Sequence, residues 1–289
     1  MSLNYRLRSA LEDLLETNTH LINIQNDPVR FPKRYSDRGD VEISAFLSAC
    51  FSYGNVHSII TTLEKLFKPM GASPMDYVMS ASKSRLKNDY KSFKHRIHIS
   101  DDLILLILFL RHIMKEHNSL ERYWCFGIDK PNADEPAITY VNGFISNSLS
   151  MLYKGIFHNE PRGLYFTHFF PIIGVSCCKK LFLFLRWMIR HDKELDLGLW
   201  GFLSPAQLII PLDVHVARIS RFIGLTNRRT TNLKTALDIT HKLREFSPLD
   251  PLKYDFPISH QGISEGCRGR FYAPVCASCP LRQVCIMVT

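Results

Sequence analysis

The stretch PLDVHVARISRFIGL occupies residues 211–225 and contains the local pattern that best indicates the fold. Apolar residues recur three and four positions apart in it, from Val216 through Ile219 to Ile223, as they do on one face of an α-helix. Asp213 precedes this pattern, where an aspartate side chain can accept hydrogen bonds from the first free N–H groups of a helix. The stretch therefore predicts a helix that begins directly after Asp213 and ends at Ile223.

The same helical spacing recurs along most of the chain. Apolar residues between Leu7 and Ile22 predict a first amphipathic helix, and Asp40 is placed to cap a second one from Val41 to Tyr53. No stretch alternates apolar and polar residues for more than a few positions, so strand signals are nearly absent. The chain is therefore predicted to be all-α, with further helices near residues 57–67, 101–117, 119–125, 138–154, 177–191, 213–223, 230–246 and 250–261.

Length and composition limit the class of protein. With 289 residues, 46% of them hydrophobic, the chain suits one large or two medium domains with a real core. Its longest uncharged apolar run, Leu103–Leu110, is far shorter than the roughly 20 residues that span a bilayer, so we expect no membrane contact. Residues 1–8 lack the apolar block of a signal peptide. We therefore expect a monomeric protein of the cytoplasm, where disulfides are rare.

Positive charge exceeds negative charge by nine, and the excess is unevenly placed. Residues 83–98 contain six Lys or Arg and one acid, with aromatic residues between them, and residues 213–289 contain eleven basic and six acidic residues. Such clusters favour a polyanionic partner, most often nucleic acid, and Lys91 and Lys94 are candidates for phosphate contact. A solvated polar surface is the alternative interpretation of the first cluster.

Four of the eight cysteines lie within nineteen residues, in the pattern C-x8-C-x2-C-x5-C. Four thiolates so close in sequence can surround one metal centre, with Pro274 and Pro280 expected to keep the segment free of helix. Spacing alone leaves zinc and iron–sulfur open. The other four lie in apolar surroundings and are expected to be core residues: Cys50, Cys125, Cys177 and Cys178. The candidate metal ligands are Cys267, Cys276, Cys279 and Cys285.

The segment PVCASCPLRQVC at 274–285 resembles the iron–sulfur loop of endonuclease III and the adenine DNA glycosylases, in the helix-hairpin-helix DNA glycosylase superfamily. The usual spacing there is C-x6-C-x2-C-x5-C, and this chain has two more residues in the first gap. The resemblance implies that the four cysteines hold a [4Fe–4S] cluster, with zinc as the alternative. It also implies that basic side chains in and beside the loop face DNA phosphates, namely Arg268, Arg270 and Arg282.

The stretch at 211–225 is similar to the V-D-T-H-V-x-R-V…R-L-G segment of the same superfamily. There the aspartate is the catalytic carboxylate, at a helix start in the mouth of a cleft between two lobes. A carboxylate beside C1′ of the sugar stabilises the positive charge that develops when the N-glycosidic bond breaks. The resemblance implies this role for Asp213, with a simple helix cap as the alternative, and makes Arg218 a DNA-binding candidate whose alternative role is to support the helix.

A hairpin motif is present in altered form. The superfamily pattern L-P-G-V-G-x-K-T-A, whose glycine amides bind a phosphate, has its nearest match in FPIIGVSCCKKL at residues 170–181. The first glycine is retained, a serine replaces the second, and Cys178 stands at the lysine position. Because the lysine nucleophile is displaced, we expect monofunctional cleavage, with lyase chemistry through one of the two lysines that follow as the alternative. These lysines also belong to the implied DNA contacts, which are Gly174, Ser176, Lys179 and Lys180.

As a whole, the chain resembles a group of uncharacterised bacterial proteins that share the motifs at Phe184–Arg190, Pro211–Val216 and Asp250–Phe256. This similarity spans most of the chain, whereas the similarity to known glycosylases is strongest over residues 211–289. The segment at 41–50 resembles the E-L-L-I-A-V-L-L-S-A-Q helix of endonuclease III, but Cys50 replaces the glutamine that enters the space left by the extruded base. A thiol cannot make the hydrogen bonds of an amide, so the opposite strand would have to be read differently.

Together these similarities imply two helical lobes that face each other across a DNA-binding cleft. Residues 31–210 would form one lobe, with the altered hairpin, and residues 1–30 plus 211–289 the other, with the cysteine loop at 267–285. The implied activity is that of a base-excision glycosylase, which flips a damaged or mispaired base out of double-stranded DNA and cleaves its glycosidic bond. Such a protein would be associated with the nucleoid. A non-catalytic nucleic-acid-binding protein of the same fold and a cluster-carrying redox or sensor protein stay open.

Overall fold

The computed structural model describes residues 3–19, 24–157, 159–174, 176–263 and 266–288. These residues are predominantly helical, which confirms the predicted all-α class. The strands within them are two residues long and form one antiparallel hairpin, β1 (Lys94–His95) and β2 (His98–Ile99). The helices are α1 (Leu3–Thr19), α2 (Arg38–Phe51), α3 (Val56–Phe67), α4 (Pro74–Ser80), α5 (Lys83–Asp89), α6 (Ser100–His117), α7 (Leu120–Cys125), α8 (Pro136–Tyr153), α9 (Lys179–Ile189), α10 (Val214–Phe222), α11 (Leu233–Phe246), α12 (Asp255–Ile263) and α13 (Ala273–Cys276).

Most of the predicted helices begin and end within three residues of the observed ones. The prediction for residues 101–117 corresponds to α6, and that for residues 138–154 corresponds to α8. The region predicted as one helix at 250–261 instead starts with a 3₁₀-helix, Pro251–Tyr254, before α12. The predicted continuation of the first helix through residues 20–22 lies outside the described residues.

Contacts between residues divide the chain into two compact units. The first unit contains residues 1–22, 173–186 and 204–289, and the second contains residues 23–172 and 187–203. The predicted boundary at residue 210 placed residues 173–186 in the middle lobe, whereas contacts group them with the two ends of the chain. Each unit is therefore assembled from segments that are distant in sequence, and α9 carries the chain from the first unit into the second.

In the first unit, α1 is tied to the segment that precedes α12. Its apolar face is buried, while Glu12 accepts hydrogen bonds from Lys253 Nζ at 2.9 Å and from the Tyr254 hydroxyl at 2.5 Å. Burial acts to raise the pKa of Glu12, but the bonds from Tyr254 and Lys253 outweigh it and hold the pKa below its usual value. Glu12 therefore stays ionised at neutral pH, with a phenol and an ammonium as partners.

The core of the second unit is built around α6. Every residue from Leu103 to Leu110 is buried, so the longest apolar run of the sequence becomes the central helix of this unit. Burying one such leucine or isoleucine contributes about 1.5–3 kcal/mol to folding. Aromatic rings pack against it, among them Phe170, whose ring centroid lies 5.1 Å from that of Phe109 in α6. No helix within the described ranges is long and apolar enough to cross a membrane.

A buried carboxylate joins three segments of the second unit. Glu42 is fully buried and accepts hydrogen bonds from the Trp200 indole N–H at 2.9 Å and from the backbone N–H of Leu120 at 2.8 Å. Burial raises the pKa of Glu42, and the bonds from Trp200 and Leu120 oppose the rise. Because an unpartnered buried charge is unfavourable by several kcal/mol, this carboxylate requires both donors to stay in place.

The start of α2 differs from the prediction. The helix begins at Arg38, and Asp37 caps it by accepting hydrogen bonds from the N–H groups of Gly39 and Asp40 at 2.8 and 3.3 Å. The predicted cap, Asp40, lies inside the helix and is buried. Its carboxylate instead accepts hydrogen bonds from the side chain of Ser73 at 2.9 Å and from the N–H of Met75 at 2.7 Å, so it holds the start of α4.

The basic stretch at 83–98 forms α5 and then the β1–β2 hairpin, which the sequence did not predict. Two buried histidines anchor this hairpin: His95 Nδ1 lies 2.9 Å from Thr62 Oγ1, and His98 Nδ1 lies 2.5 Å from the Tyr53 hydroxyl. Lys94 is exposed on β1, and Lys91 is exposed on the turn before it. The imidazoles thus fix a short hairpin from which basic side chains extend into solvent.

A second buried carboxylate holds the loop that follows α8. Asp102, in the first turn of α6, accepts hydrogen bonds from the N–H groups of Ile99 at 3.0 Å and Gly163 at 2.9 Å. A Cβ atom at position 163 would lie 2.4 Å from Asp102 Oδ2, which is too close for any side chain. Gly163 is therefore needed for this approach of the loop to α6.

We expect Gly163→Ala to lower the free energy of unfolding by about 1–3 kcal/mol, because the added methyl group displaces either the loop or a buried carboxylate. Gly201→Ala is the matched control, since a Cβ atom there meets nothing within 4 Å and the backbone conformation suits alanine. Urea denaturation of both variants and the parent measures the difference. Equal stability of the two variants would contradict the role assigned to Gly163.

Candidate functional site

Asp213 is the N-cap of α10. Its Oδ1 accepts hydrogen bonds from the N–H groups of His215 at 2.8 Å and Val216 at 2.9 Å, so the predicted capping role is confirmed. The side chain is half-buried, behind the buried pair Pro211 and Leu212. Its second oxygen, Oδ2, makes no hydrogen bond to any described residue. The cap therefore fixes the orientation of the carboxylate and leaves one oxygen available for another partner.

The altered hairpin motif lies next to this carboxylate in the first unit. The thiol of Cys177 donates a hydrogen bond to Leu212 O at 3.3 Å, directly before the capping residue. Burial raises the pKa of the Cys177 thiol, the charge of Lys179 opposes the rise and the charge of Asp213 adds to it. Cys177 was predicted to be an ordinary core residue, yet it lies half-buried between the candidate carboxylate and the start of α9.

The turn of the hairpin motif depends on one glycine. Gly174 has a φ of +93°, which side chains rarely adopt, and a Cβ atom there would meet nothing within 4 Å. Ser176 Oγ accepts a hydrogen bond from Cys178 N at 3.1 Å, directly before α9. The element before this turn is a four-residue 3₁₀-helix, Phe166–Phe169, so a full α-helix stands on only one side. The two lysine candidates, Lys179 and Lys180, are the first residues of α9 and are partly exposed.

The helix α10 packs closely on α12 because of another glycine. A Cβ atom at Gly262 would lie 2.9 Å from His215 Cβ, so only glycine permits this approach. Arg218, one turn further along α10, donates through Nη2 to Gly262 O at 3.1 Å and to Cys267 O at 3.0 Å. Arg218 was a DNA-binding candidate with support of the helix as its alternative role, and the structure directs its guanidinium to these two carbonyl groups.

The cysteine loop is attached to α10 at both of its ends. Cys267 O is bound by Arg218, and just beyond the last cysteine the N–H of Ile286 donates to Phe222 O at 2.9 Å. Gly269, within the loop, also lies close to α10, since a Cβ atom there would make ordinary van der Waals contact with the side chains of Arg218 and Phe222. The helix that starts at the candidate carboxylate is thus the same helix that holds the cysteine loop.

The four loop cysteines line one small cavity of about 30 Å³. All four are half-buried free thiols, and no carboxylate or imidazole is among the described residues that line the cavity. Burial raises the pKa of Cys279 and Cys285, and the neighbouring cysteines add to the rise. Across the described ranges, no three or more His, Cys, Asp or Glu side chains are arranged so that they could hold a metal ion.

The donor set nevertheless fits an iron–sulfur cluster or zinc in chemical kind, since thiolates are the preferred ligands of both. A bound metal cation would favour the thiolate form and so reverse the effect of burial on these cysteines. The expectation that prolines keep the loop free of helix was wrong in part: Pro274 lies in the first turn of α13, where proline is tolerated because no helical hydrogen bond is lost.

The predicted DNA contacts of the loop are exposed. Arg268 stacks over the ring of Tyr272, with 4.2 Å between the guanidinium carbon and the ring centroid. Arg270 and Arg282 border the cysteine cavity and are exposed, and Arg282 Nη1 donates to Ala277 O at 3.4 Å. Phe271 is 54% exposed, so the loop presents apolar rings beside its cations. Lys91 and Lys94 belong to the second unit, whereas these arginines belong to the first.

Two of the motifs shared with the bacterial group meet in the first unit. Arg186, from the motif at 184–190, forms an ion pair with Asp255, from the motif at 250–256, and both side chains are almost fully buried. Asp255 is the first residue of α12. Sequence could not reveal this partner, because the two residues lie far apart along the chain and no local signal connects an arginine in one helix with an acid at the start of another.

The structure thus defines an all-α protein in which a capping carboxylate, a glycine turn and a four-cysteine loop share one helical unit. The chain belongs to the family described as Protein of unknown function (DUF2400), whose model matches residues 27–264. The matched residues include Asp213 and the altered hairpin motif, and they end before Cys267. Comparison with curated proteins gave no match.

We expect Arg218→Met to lower the free energy of unfolding by about 1–3 kcal/mol, because two carbonyl groups lose their common donor. The cysteine loop should also become more sensitive to chymotrypsin, which can cut after the exposed Phe271 and Tyr272. Arg221→Met on the same helix is the control, since Arg221 reaches one exposed carbonyl at 3.3 Å. Urea denaturation and timed proteolysis test this, and unchanged loop cleavage in Arg218→Met would refute the coupling.

Proposed function

We propose that this protein is a DNA-binding base-excision glycosylase whose reactive carboxylate is Asp213. The observation that carries the proposal is the capped state of this residue: Oδ1 is held by two backbone N–H groups, and Oδ2 has no hydrogen-bond partner in the described chain. A carboxylate that is oriented in advance needs little reorganisation when positive charge develops beside it. The similarity of the stretch at 211–225 to the glycosylase segment supports the same role.

In the proposed reaction, the bond between C1′ of the sugar and the base nitrogen breaks, and its electron pair leaves with the base. Positive charge develops on the sugar, and Asp213 Oδ2 stabilises it. A water molecule then adds to C1′ and loses one proton, while the departing base gains one. No amine takes part in these steps. This agrees with Cys178, which stands where the glycosylase superfamily has its lysine nucleophile, and monofunctional cleavage is therefore the favoured chemistry.

Binding of double-stranded DNA is supported by exposed cations and by one backbone turn. The proposed phosphate contacts in the first unit are the turn at Gly174 and Ser176, the lysines that start α9, and the arginines of the cysteine loop. In the second unit they are Lys91 and Lys94, which extend from a hairpin fixed by buried histidines. Arg218 contributes indirectly, because its guanidinium is used to hold the loop that carries the arginines.

We further propose that Cys267, Cys276, Cys279 and Cys285 hold a [4Fe–4S] cluster. Their common cavity, their thiol-only donor set and the similarity of the loop to that of endonuclease III support this. When bound, the cluster supplies a fixed loop conformation and a local electrostatic field, and the base chemistry stays with Asp213. Because both ends of the loop are attached to α10, a fixed loop also stabilises the helix that the carboxylate caps.

Base release from a panel of lesion-bearing duplexes tests the activity. We expect the parent protein to release at least one damaged or mispaired base and Asp213→Asn to be slower by on the order of 100-fold or more. Asparagine caps helices about as well as aspartate, so this variant should stay folded while it loses the charge. Asp238→Asn, which alters an exposed carboxylate paired with Arg228, should keep full activity.

Failure to release any base, or equal release by Asp213→Asn, would refute the glycosylase proposal. Salt-dependent binding of undamaged duplex without base release would instead favour the non-catalytic nucleic-acid-binding protein. Loss of partner binding on oxidation, with no affinity for DNA, would favour the redox or sensor class.

Metal analysis of anaerobically purified protein tests the cofactor. We expect four iron and four sulfide per chain together with the broad visible absorption of thiolate-bound iron, and Cys276→Ser should lose both because one ligand is removed. Cys125→Ser is the control, since this free thiol belongs to α7 of the second unit and is not one of the loop cysteines. One zinc per chain in the absence of iron would rule out the cluster and favour the zinc alternative.

A further inference from the structure

A basic hollow lies in the second unit, in a part of the chain that the proposed reaction does not use. Its walls are formed by the end of α3, the following 3₁₀-helix and the loop before α2, and its volume is about 610 Å³. Small-molecule sites usually measure about 300–1,000 Å³. Its lining includes Arg34, Tyr35, Glu64, Lys65, Lys68 and Gly71, which together are called the Arg34 hollow.

The guanidinium at the rim of the Arg34 hollow is held in one orientation. Arg34 donates to both oxygens of Glu64, at 2.6 and 3.1 Å, and stacks over the ring of Phe31, whose centroid lies 4.4 Å from the guanidinium carbon. Arg30 also pairs with Glu64 and lies over the same ring at 5.0 Å. Two guanidinium groups are thus arranged around one ring and one carboxylate, and Arg34 keeps further N–H groups beyond the two that it gives to Glu64.

The charge inside the hollow is unbalanced. Arg34, Lys65 and Lys68 supply three positive charges, and Glu64 is the one acid among the lining residues. The hydrogen bond from Arg34 lowers the pKa of Glu64 below its usual value, so this carboxylate is ionised at neutral pH and is already shared between two arginines. The ammonium group of neither lysine has a hydrogen bond or an ion pair to a described residue. Two positive charges in the hollow therefore face solvent without a counter-charge from the chain.

The wall of the hollow adds a polar group and an aromatic surface. The Tyr35 hydroxyl lies 3.4 Å from Gly71 O, and the Tyr35 ring is tilted against the buried ring of Phe67 with 6.5 Å between centroids. Gly71 has a φ of +63°, a backbone conformation that side chains rarely adopt. A Cβ atom there would meet nothing within 4 Å, so the hollow is open at this residue. An oriented guanidinium and two exposed ammonium groups are donors that suit phosphate oxygens.

We propose that the Arg34 hollow binds phosphate groups. Two uncompensated ammonium charges suit a ligand that carries at least two negative charges, such as a pyrophosphate moiety or two successive phosphates of a nucleic acid. Arg34 supplies directional hydrogen bonds, and Lys65 and Lys68 supply charge from successive turns of the same segment. The site is independent of Asp213 and of the cysteine loop, since all of its residues belong to the second unit.

The test uses the full chain and the double variant Lys65→Gln/Lys68→Gln, because removal of Arg34 would also leave Glu64 without its partner. The control is Lys115→Gln/Lys130→Gln, which removes two exposed charges from the same unit outside the hollow. Thermal melting checks that both variants remain folded. Pyrophosphate binding is measured by calorimetry, and binding of an undamaged duplex is measured by fluorescence anisotropy at several salt concentrations.

If a soluble phosphate ligand is the source, the parent and the control bind pyrophosphate and the hollow variant binds it about tenfold more weakly, the change expected when charge-assisted hydrogen bonds are lost. If the nucleic-acid backbone is the source, pyrophosphate binds weakly, and the salt dependence of duplex binding falls by about 1.8 in log–log slope for the hollow variant only. Either result supports the site. If neither measurement separates the hollow variant from the control, the proposal is overturned.

Discussion

The two hydrogen bonds that Arg218 donates to Gly262 O and Cys267 O are the interaction on which the candidate site depends. They connect the middle of α10 with the end of α12 and with the first cysteine of the loop. Because the Gly262 position admits no side chain, the two helices approach closely enough for one guanidinium to reach both carbonyls. The Asp213 cap, the packing of α12 and the position of the cysteine loop are therefore coupled through a single side chain inside the first unit.

Sequence predicted the features that depend on neighbours in the chain. Helical spacing located α6 and α10, Asp213 was identified as a cap, and cysteine spacing located the loop whose thiols line one cavity. Features that depend on distant segments were missed. Asp37 and Asp40 are both plausible caps in sequence, and only the contact of Asp40 with the start of α4 decides between them. Likewise, nothing near Cys177 in the sequence indicates that the chain brings it beside residue 213.

More acidic than basic side chains are buried in the described chain, which affects the balance of charge at its surface. Five carboxylates are buried in the described chain, against two buried arginines, and three of them are Glu42, Asp102 and Asp40, which bind backbone N–H groups. Their negative charge is stabilised by dipoles in the interior, whereas most basic side chains remain at the surface. Among the charged side chains that a polyanion could contact directly, basic ones therefore outnumber acidic ones by more than the formal net charge of +9.

The first unit combines segments that are distant in the chain, so the order of synthesis on the ribosome affects when this unit can fold. The helix α1 is made before its partners Lys253 and Tyr254, which lie 241 and 242 residues after Glu12 in the chain. Most of the second unit lies between α1 and these partners in the chain. This unit can therefore fold before the apolar face of α1 is covered. Completion of the first unit thus requires that α1 keep its apolar face uncovered until residues 253 and 254 have been made.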